Sequence, residues 1–131
     1  SAQICYEIIF SGFTPHPKNK KRPQWILNQS NDAWFGNSFG PLQHSNMAAY
    51  RAIEEGVPVV RAAANGVSGI ISPLGRYEQY IGPKETGFLD VKLPKPKPKT
   101  FFSTHVNYVL FSINLLIAML VSFSVIKNTK I

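Results

Sequence analysis

Cys5 is the only cysteine in the 131-residue chain, and its setting suits nucleophilic chemistry. Ala2-Gln3-Ile4 reads as a buried strand, and Tyr6-Glu7 and Ile8-Ile9-Phe10 follow the cysteine at once. A strand that ends in a sharp turn at Cys5 exposes the sulfur, and polar groups at the tip favour the thiolate, the reactive form. Glu7 brings a carboxylate to the same turn. The alternative for Cys5 is a small buried hydrophobe, since free cysteine is among the most buried residue types. A single cysteine excludes an intrachain disulfide and a multi-cysteine metal site. His16, His44 and His105 lack metal-ligand spacing and are given no chemistry, so neither metal nor cofactor is expected.

The charge balance points to a surface rather than to a nucleic acid. The chain holds 14 Lys+Arg against 7 Asp+Glu, a net charge of +7. The excess lies in three places: Lys18, Lys20, Lys21 and Arg22 in a proline-flanked loop, Lys92, Lys95, Lys97 and Lys99 in a Lys-Pro alternation, and Lys127 and Lys130 at the end. No basic helix or aromatic-interleaved basic sheet accompanies them, so nucleic acid is not an expected partner. Two of the clusters border an uncharged run, Tyr108 to Ile126, which makes anionic lipid head groups the better counterpart. That run shows no polar face, and a bilayer needs about 20 such residues in a helix, so residues 108–126 are expected to cross a membrane. Lysines lie on both sides of it, so charge alone leaves its orientation open.

The elements that must position Cys5 read as mixed α/β. Trp25–Asn28 is a short buried strand that runs into the polar-aromatic loop Gln29–Gly36. Leu42–Glu55 has helical spacing of Met47, Ala48, Arg51, Ala52 and Glu55, with Gly56 as the stop. Val57–Ala62 is the next strand, and a hairpin follows, Val67–Ser72 and Arg76–Ile81 about a turn at Pro73-Leu74-Gly75. A final strand is expected at Gly87–Val91, then an extended Lys-Pro linker. Gly12, Pro15 and Pro17 argue against a long helix after Phe10. The chain opens without a methionine, in what looks like mid-strand, and is expected to be the C-terminal portion of a longer protein.

Three segments together carry a resemblance: Ile4-Cys5-Tyr6-Glu7-Ile8-Ile9-Phe10, Ser30-Asn31-Asp32-Ala33-Trp34-Phe35-Gly36 and Gly40-Pro41-Leu42-Gln43-His44. With Arg51-Ala52, the Arg61 strand, Asn65-Gly66-Val67 and Pro73-Leu74-Gly75-Arg76 in the same order, the chain resembles the bacterial apolipoprotein N-acyltransferases of the nitrilase, or carbon-nitrogen hydrolase, superfamily. The resemblance implies the C-terminal part of a nitrilase-like αββα sandwich (residues 1–92), a Lys/Pro linker (93–107), one transmembrane helix (108–126) and a short basic tail (127–131). Soluble members of the superfamily lack such a C-terminal span.

The implied reaction takes a fatty acyl chain from a phospholipid donor onto the cysteine sulfur. The thioester then passes the chain to the N-terminal amine of a diacylglyceryl-apolipoprotein, the acceptor. Carried over residue by residue, the resemblance makes Cys5 the nucleophile and Glu7 a catalytic-site carboxylate that orients the turn. Tyr6, Trp34 and Phe35 become substrate-lining aromatics. A glutamate base and an oxyanion-stabilising lysine belong upstream of the cysteine in the family, so the 131 residues alone are expected to be inactive. The implied location is the bacterial inner membrane, with the catalytic portion periplasmic and the C-terminus cytoplasmic. Two other readings stay open at this point: a nitrilase-type amidase that hydrolyses its acyl-enzyme, and a non-catalytic, membrane-anchored remnant of a split gene.

Overall fold

The computed structural model describes residues 1–12, 14 and 22–129, without the side chains at 106, 107, 109, 110 and 126–129. His16, Lys18, Lys20, Lys21 and Lys130 therefore lie outside the described residues, as does the side chain of Lys127. The chain divides after Thr100 into two compact units.

The first unit is built on one five-stranded sheet in the order β1 (Ala2–Ile4), β2 (Ile26–Asn31), β3 (Val59–Ala64), β4 (Ser68–Ile71) and β5 (Tyr77–Ile81). β1, β2 and β3 run parallel, and β3, β4 and β5 pair antiparallel. The division follows from the connections. The hairpin needs only the tight turn at Pro73-Leu74-Gly75, where Gly75 N–H reaches Ser72 O at 2.9 Å. The parallel pair β2–β3 needs a crossover, which is helix α1 (Gly40–Glu55). Strand side chains alternate between faces, so Ile26 and Asn28 on β2 and Val59 and Arg61 on β3 point to the same buried side.

α1 covers that side. Its buried residues, Pro41, His44, Ser45, Ala48, Arg51, Ala52 and Glu55, recur at three- and four-residue spacing and form one stripe. Pro41 sits in the first turn, where its missing N–H costs nothing. Gly56 ends the helix in the left-handed region at φ 64°. The core beneath α1 is Ile8, Ile26, Ala48, Ala52, Val57, Val59 and Ile71. The opposite face of the sheet carries exposed Ile4. Above it lies a hollow of about 480 Å³ lined in part by Val60, Ala62, Ala64, Ile70, Phe88 and Leu89.

Several expected boundaries move. β2 extends through Asn31 into the stretch read as loop, and β3 begins at Val59 because Pro58 has no N–H to give to a ladder. The strand expected at Gly87–Val91 is irregular chain, with Phe88 exposed. The reason lies just downstream. Lys97 N–H donates to Gly56 O at 2.8 Å, and Arg22 donates to Lys97 O at 2.6 Å and to Glu55 O. These bonds tie the Lys-Pro tract to the carbonyl end of α1, so the chain leaves the sheet edge instead of pairing with it.

The second unit is helix α2 (Phe101–Thr129), which begins inside the stretch read as linker. Its backbone leaves helical geometry at His105 (φ −128°, ψ 16°), whose ring stacks on Phe101 at 4.6 Å between centroids. Among the described residues no helix is long and apolar enough to cross a membrane.

Candidate active site

Cys5 stands where β1 ends and a single 3-10 turn, Cys5–Ile9, begins. Its φ of 50° lies in the left-handed region, which costs a residue with a Cβ about 1–2 kcal/mol. The thiol is half-buried. Such a backbone persists only where its surroundings hold it, and three sets of bonds do so here. Glu7 folds back so that its Oε2 accepts the Ile4 N–H at 2.6 Å, which caps the turn. Arg51 on α1 donates to the carbonyls of Ile8 and Ile9 at 3.5 and 3.0 Å, while its guanidinium pairs with Glu54 at 2.7 Å. Ile8, fully buried, roots the turn in the core.

The third set descends from Asp32, which sits just past β2 with its side chain removed from solvent. Its Oδ2 accepts from Arg61 at 2.7 Å, and its Oδ1 meets His44 Nδ1 at 2.9 Å and accepts from Ser30 Oγ at 2.6 Å. Arg61 also donates to Asn28 Oδ1 and to Val67 O, the latter at 3.1 Å. Asn28 in turn donates to the carbonyls of Gln3 and Cys5 at 3.1 and 3.5 Å. Burial alone would raise the pKa of Asp32. The hydrogen bonds from His44 and Ser30 and the charge of Arg61 outweigh it, and the carboxyl is held below its ordinary range. Gly66 closes the arrangement, since a Cβ there would stand 2.3 Å from Asp32 Oδ2.

The aromatic residues divide. Tyr6 meets Phe35 edge-on at 6.3 Å and tilts over His44 at 5.6 Å. With Ile9, Gly40, Gln43 and Met47 these three line a groove of about 150 Å³ beside the turn. Trp34, 82% exposed, does not join it. Tyr6 and Phe35 are thus brought together beside the cysteine turn, whereas Glu7 bonds back to Ile4 and Trp34 is outside the groove's lining. Among the described residues no group of three His, Cys, Asp or Glu side chains is placed to hold a metal. Sequence reasoning passed over His44, Ser30, Asn28 and Arg61. The available signal was polarity at alternate positions 28 and 30 of one strand and at 32 just beyond it, together with an arginine inside the apolar run Val59–Ala62.

Residues 1–96 match the carbon-nitrogen hydrolase family, and the chain belongs to it. Among curated proteins it is similar to the apolipoprotein N-acyltransferase of Rhodopseudomonas palustris, 48% identical over 100 residues, or 76% of this chain and 18% of that protein. It is 41% identical to the Agrobacterium fabrum apolipoprotein N-acyltransferase over 125 residues, 92% of this chain and 23% of the relative. With the Haemophilus ducreyi apolipoprotein N-acyltransferase it shares 31% over 127 residues, 97% of this chain and 25% of the relative. The chain therefore spans about a fifth to a quarter of the length of these relatives.

A carboxyl whose folded pKa is depressed stabilises the fold above its unfolded pKa, and that contribution fades as pH falls through the folded value. Asp32→Asn should therefore cost about 3 kcal/mol near pH 7, by leaving Arg61 buried without its counter-charge. In urea unfolding curves the gap to the parent should narrow below about pH 4. A gap that stays constant into strong acid would contradict this account of Asp32.

Proposed function

We propose that this chain carries the nucleophile of an acyltransferase that moves a fatty acyl chain from a membrane phospholipid to the N-terminal amine of a diacylglyceryl-apolipoprotein. The observation that carries the reading is Cys5, fixed at a left-handed turn beside a groove lined by Tyr6, Ile9, Phe35 and Met47. An apolar groove beside a nucleophile suits a lipid ester. The curated relatives, apolipoprotein N-acyltransferases, support N-acylation of a lipoprotein in general.

In the first half-reaction the Cys5 thiolate attacks the ester carbonyl. A carbon–sulfur bond forms, the carbon–oxygen bond breaks, and the lysophospholipid oxygen takes up a proton. In the second, the acceptor amine attacks the thioester, the carbon–sulfur bond breaks, and the thiolate is restored as the amine gives up a proton. The resemblance assigns the proton transfers to a glutamate and the oxyanion to a lysine, both upstream of Cys5 in the family pattern. Glu7 holds the turn, Tyr6 and Phe35 line the acyl groove, and Trp34 meets lipid at the rim. The uncovered face of the sheet receives the second sheet of an αββα sandwich.

Residues 108–126 cross the bacterial inner membrane in this reading, with the catalytic portion periplasmic and the C-terminus cytoplasmic. Support comes from the absence of charge across the run and from exposed apolar side chains all along α2, Phe111, Leu115, Met119, Phe123 and Val125 among them. Lys127 and Lys130 suit a cytoplasmic end. Lys95, Lys97 and Lys99 would face anionic lipid on the other side, where a folded domain can translocate despite its charge.

In the intact protein, Cys5→Ser should abolish a hydroxylamine-sensitive lipid adduct that the parent forms in membranes. An adduct that persists in the variant would sink the assignment. For orientation, Asn128→Cys in a Cys5→Ser background should react with a membrane-impermeant thiol reagent only after spheroplasts are permeabilised. Labelling of intact spheroplasts would place the C-terminus outside.

A further inference from the structure

The strained pose of Cys5 needs more than a capped turn, and two side chains beneath it reach opposite ends of the residue. His44 Nε2 lies 3.3 Å from the Cys5 carbonyl oxygen, so an N–H there donates to it. Ser30 Oγ lies 3.7 Å from Cys5 Sγ, within range of a hydrogen bond to sulfur. Neither is free to drift, because both are fixed by a single atom: Asp32 Oδ1 is 2.9 Å from His44 Nδ1 and 2.6 Å from Ser30 Oγ. His44 is buried at 4% exposure and cannot swing to solvent.

We propose that Asp32, His44 and Ser30 form a clamp that grips Cys5 by its backbone carbonyl and by its sulfur, and so holds the thiol in its left-handed, outward pose. The three are positioning residues, and their relevance to catalysis rests on Cys5 being the nucleophile. The Ser30 hydroxyl has one proton and two acceptors, the Asp32 carboxylate and the cysteine sulfur. While the sulfur is protonated the hydroxyl serves Asp32. Once the thiolate forms, the sulfur competes for it, and a hydrogen bond to the charged form favours that form. His44 acts through the backbone: without its donor the Cys5 carbonyl keeps only the longer bond from Asn28 at 3.5 Å, the turn loosens, and the sulfur moves off Ser30. The charged and titratable groups facing the clamp are Tyr6 from the turn, Arg61 from β3 and Tyr77 from β5, whose hydroxyl bonds to Ser45 of α1 and which feels the charges of Asp32 and Arg61; Glu7 of the turn bonds to Ile4 N–H.

Alkylation tests the clamp directly, because Cys5 is the chain's sole thiol. The full chain, purified in detergent, is treated with iodoacetamide near pH 7 and near pH 10.5, either side of the ordinary thiol range. Ser30→Ala should slow the reaction about fivefold near pH 7, the size of one lost hydrogen bond, and by less than about twofold at the higher pH. His44→Leu should lower the same rate ratio, and His44→Gln, which keeps an N–H donor, should restore most of it. Circular dichroism melting separates loss of fold from loss of the clamp. Should His44→Leu fail to fold, the milder Ser30→Ala decides alone. A rate ratio in folded Ser30→Ala equal to that of the parent would overturn the proposal. The assay reads the thiol without acyl transfer, so failure of the acyltransferase reading and failure of the clamp are separate results.

Discussion

A buried carboxylate cannot stand alone, and the first unit of this protein is arranged around that constraint. Asp32 enters the interior at the end of β2, and its charge is met by Arg61 from the neighbouring strand β3, by His44 from α1 and by the Ser30 hydroxyl. Removing one partner of such a group typically costs about 3–5 kcal/mol, because the other charge is left uncompensated. Three elements are thereby obliged to meet at one point. The register that pairs Asn28 with Arg61 is part of the same arrangement, since slipping either strand by one residue would turn its polar side chain to the wrong face.

From that point the network reaches the chemistry. His44 and Ser30 touch Cys5 at its carbonyl and sulfur, and Asn28 adds a donor to the carbonyls of Gln3 and Cys5. Two turns further along α1, Arg51 holds the far end of the same turn through Ile8 and Ile9. The helix thus grips the cysteine turn at both ends, and Ile8 fills the core between. A residue in a costly backbone conformation is thereby held without relaxing. Such pre-organisation is what the nucleophile proposed for Cys5 would need.

Much of this was legible in the chain. Local signals located the hairpin, because Pro73 and Gly75 mark its turn, and α1, because its stripe and Gly56 are intrinsic to the helix. They also located the cysteine turn, because Cys5-Tyr6-Glu7 follows a short apolar approach. What local signals could not supply was partnership across the fold. His44 reads as an ordinary helix residue until Asp32 and Cys5 are placed beside it, and Arg61 gains its meaning only from β2. The same limit explains Gly87–Val91. Its residues suit a strand, yet the bonds between Lys97, Gly56 and Arg22, remote in sequence, carry the chain elsewhere. Glu7, expected from the sequence to orient the cysteine turn, bonds the backbone at the start of that turn.

The central claim is that Asp32 and Arg61 act as one unit in organising the site, and a double-mutant cycle measures it most directly. Asp32→Asn, Arg61→Met and the pair together would be compared by urea unfolding near pH 7. The account predicts that the double variant is more stable than the summed single losses imply, by a coupling of about 2 kcal/mol, since each single change strands a buried partner. Losses that add to within about 0.5 kcal/mol would mean that the two side chains are neighbours without interdependence, and would contradict the account.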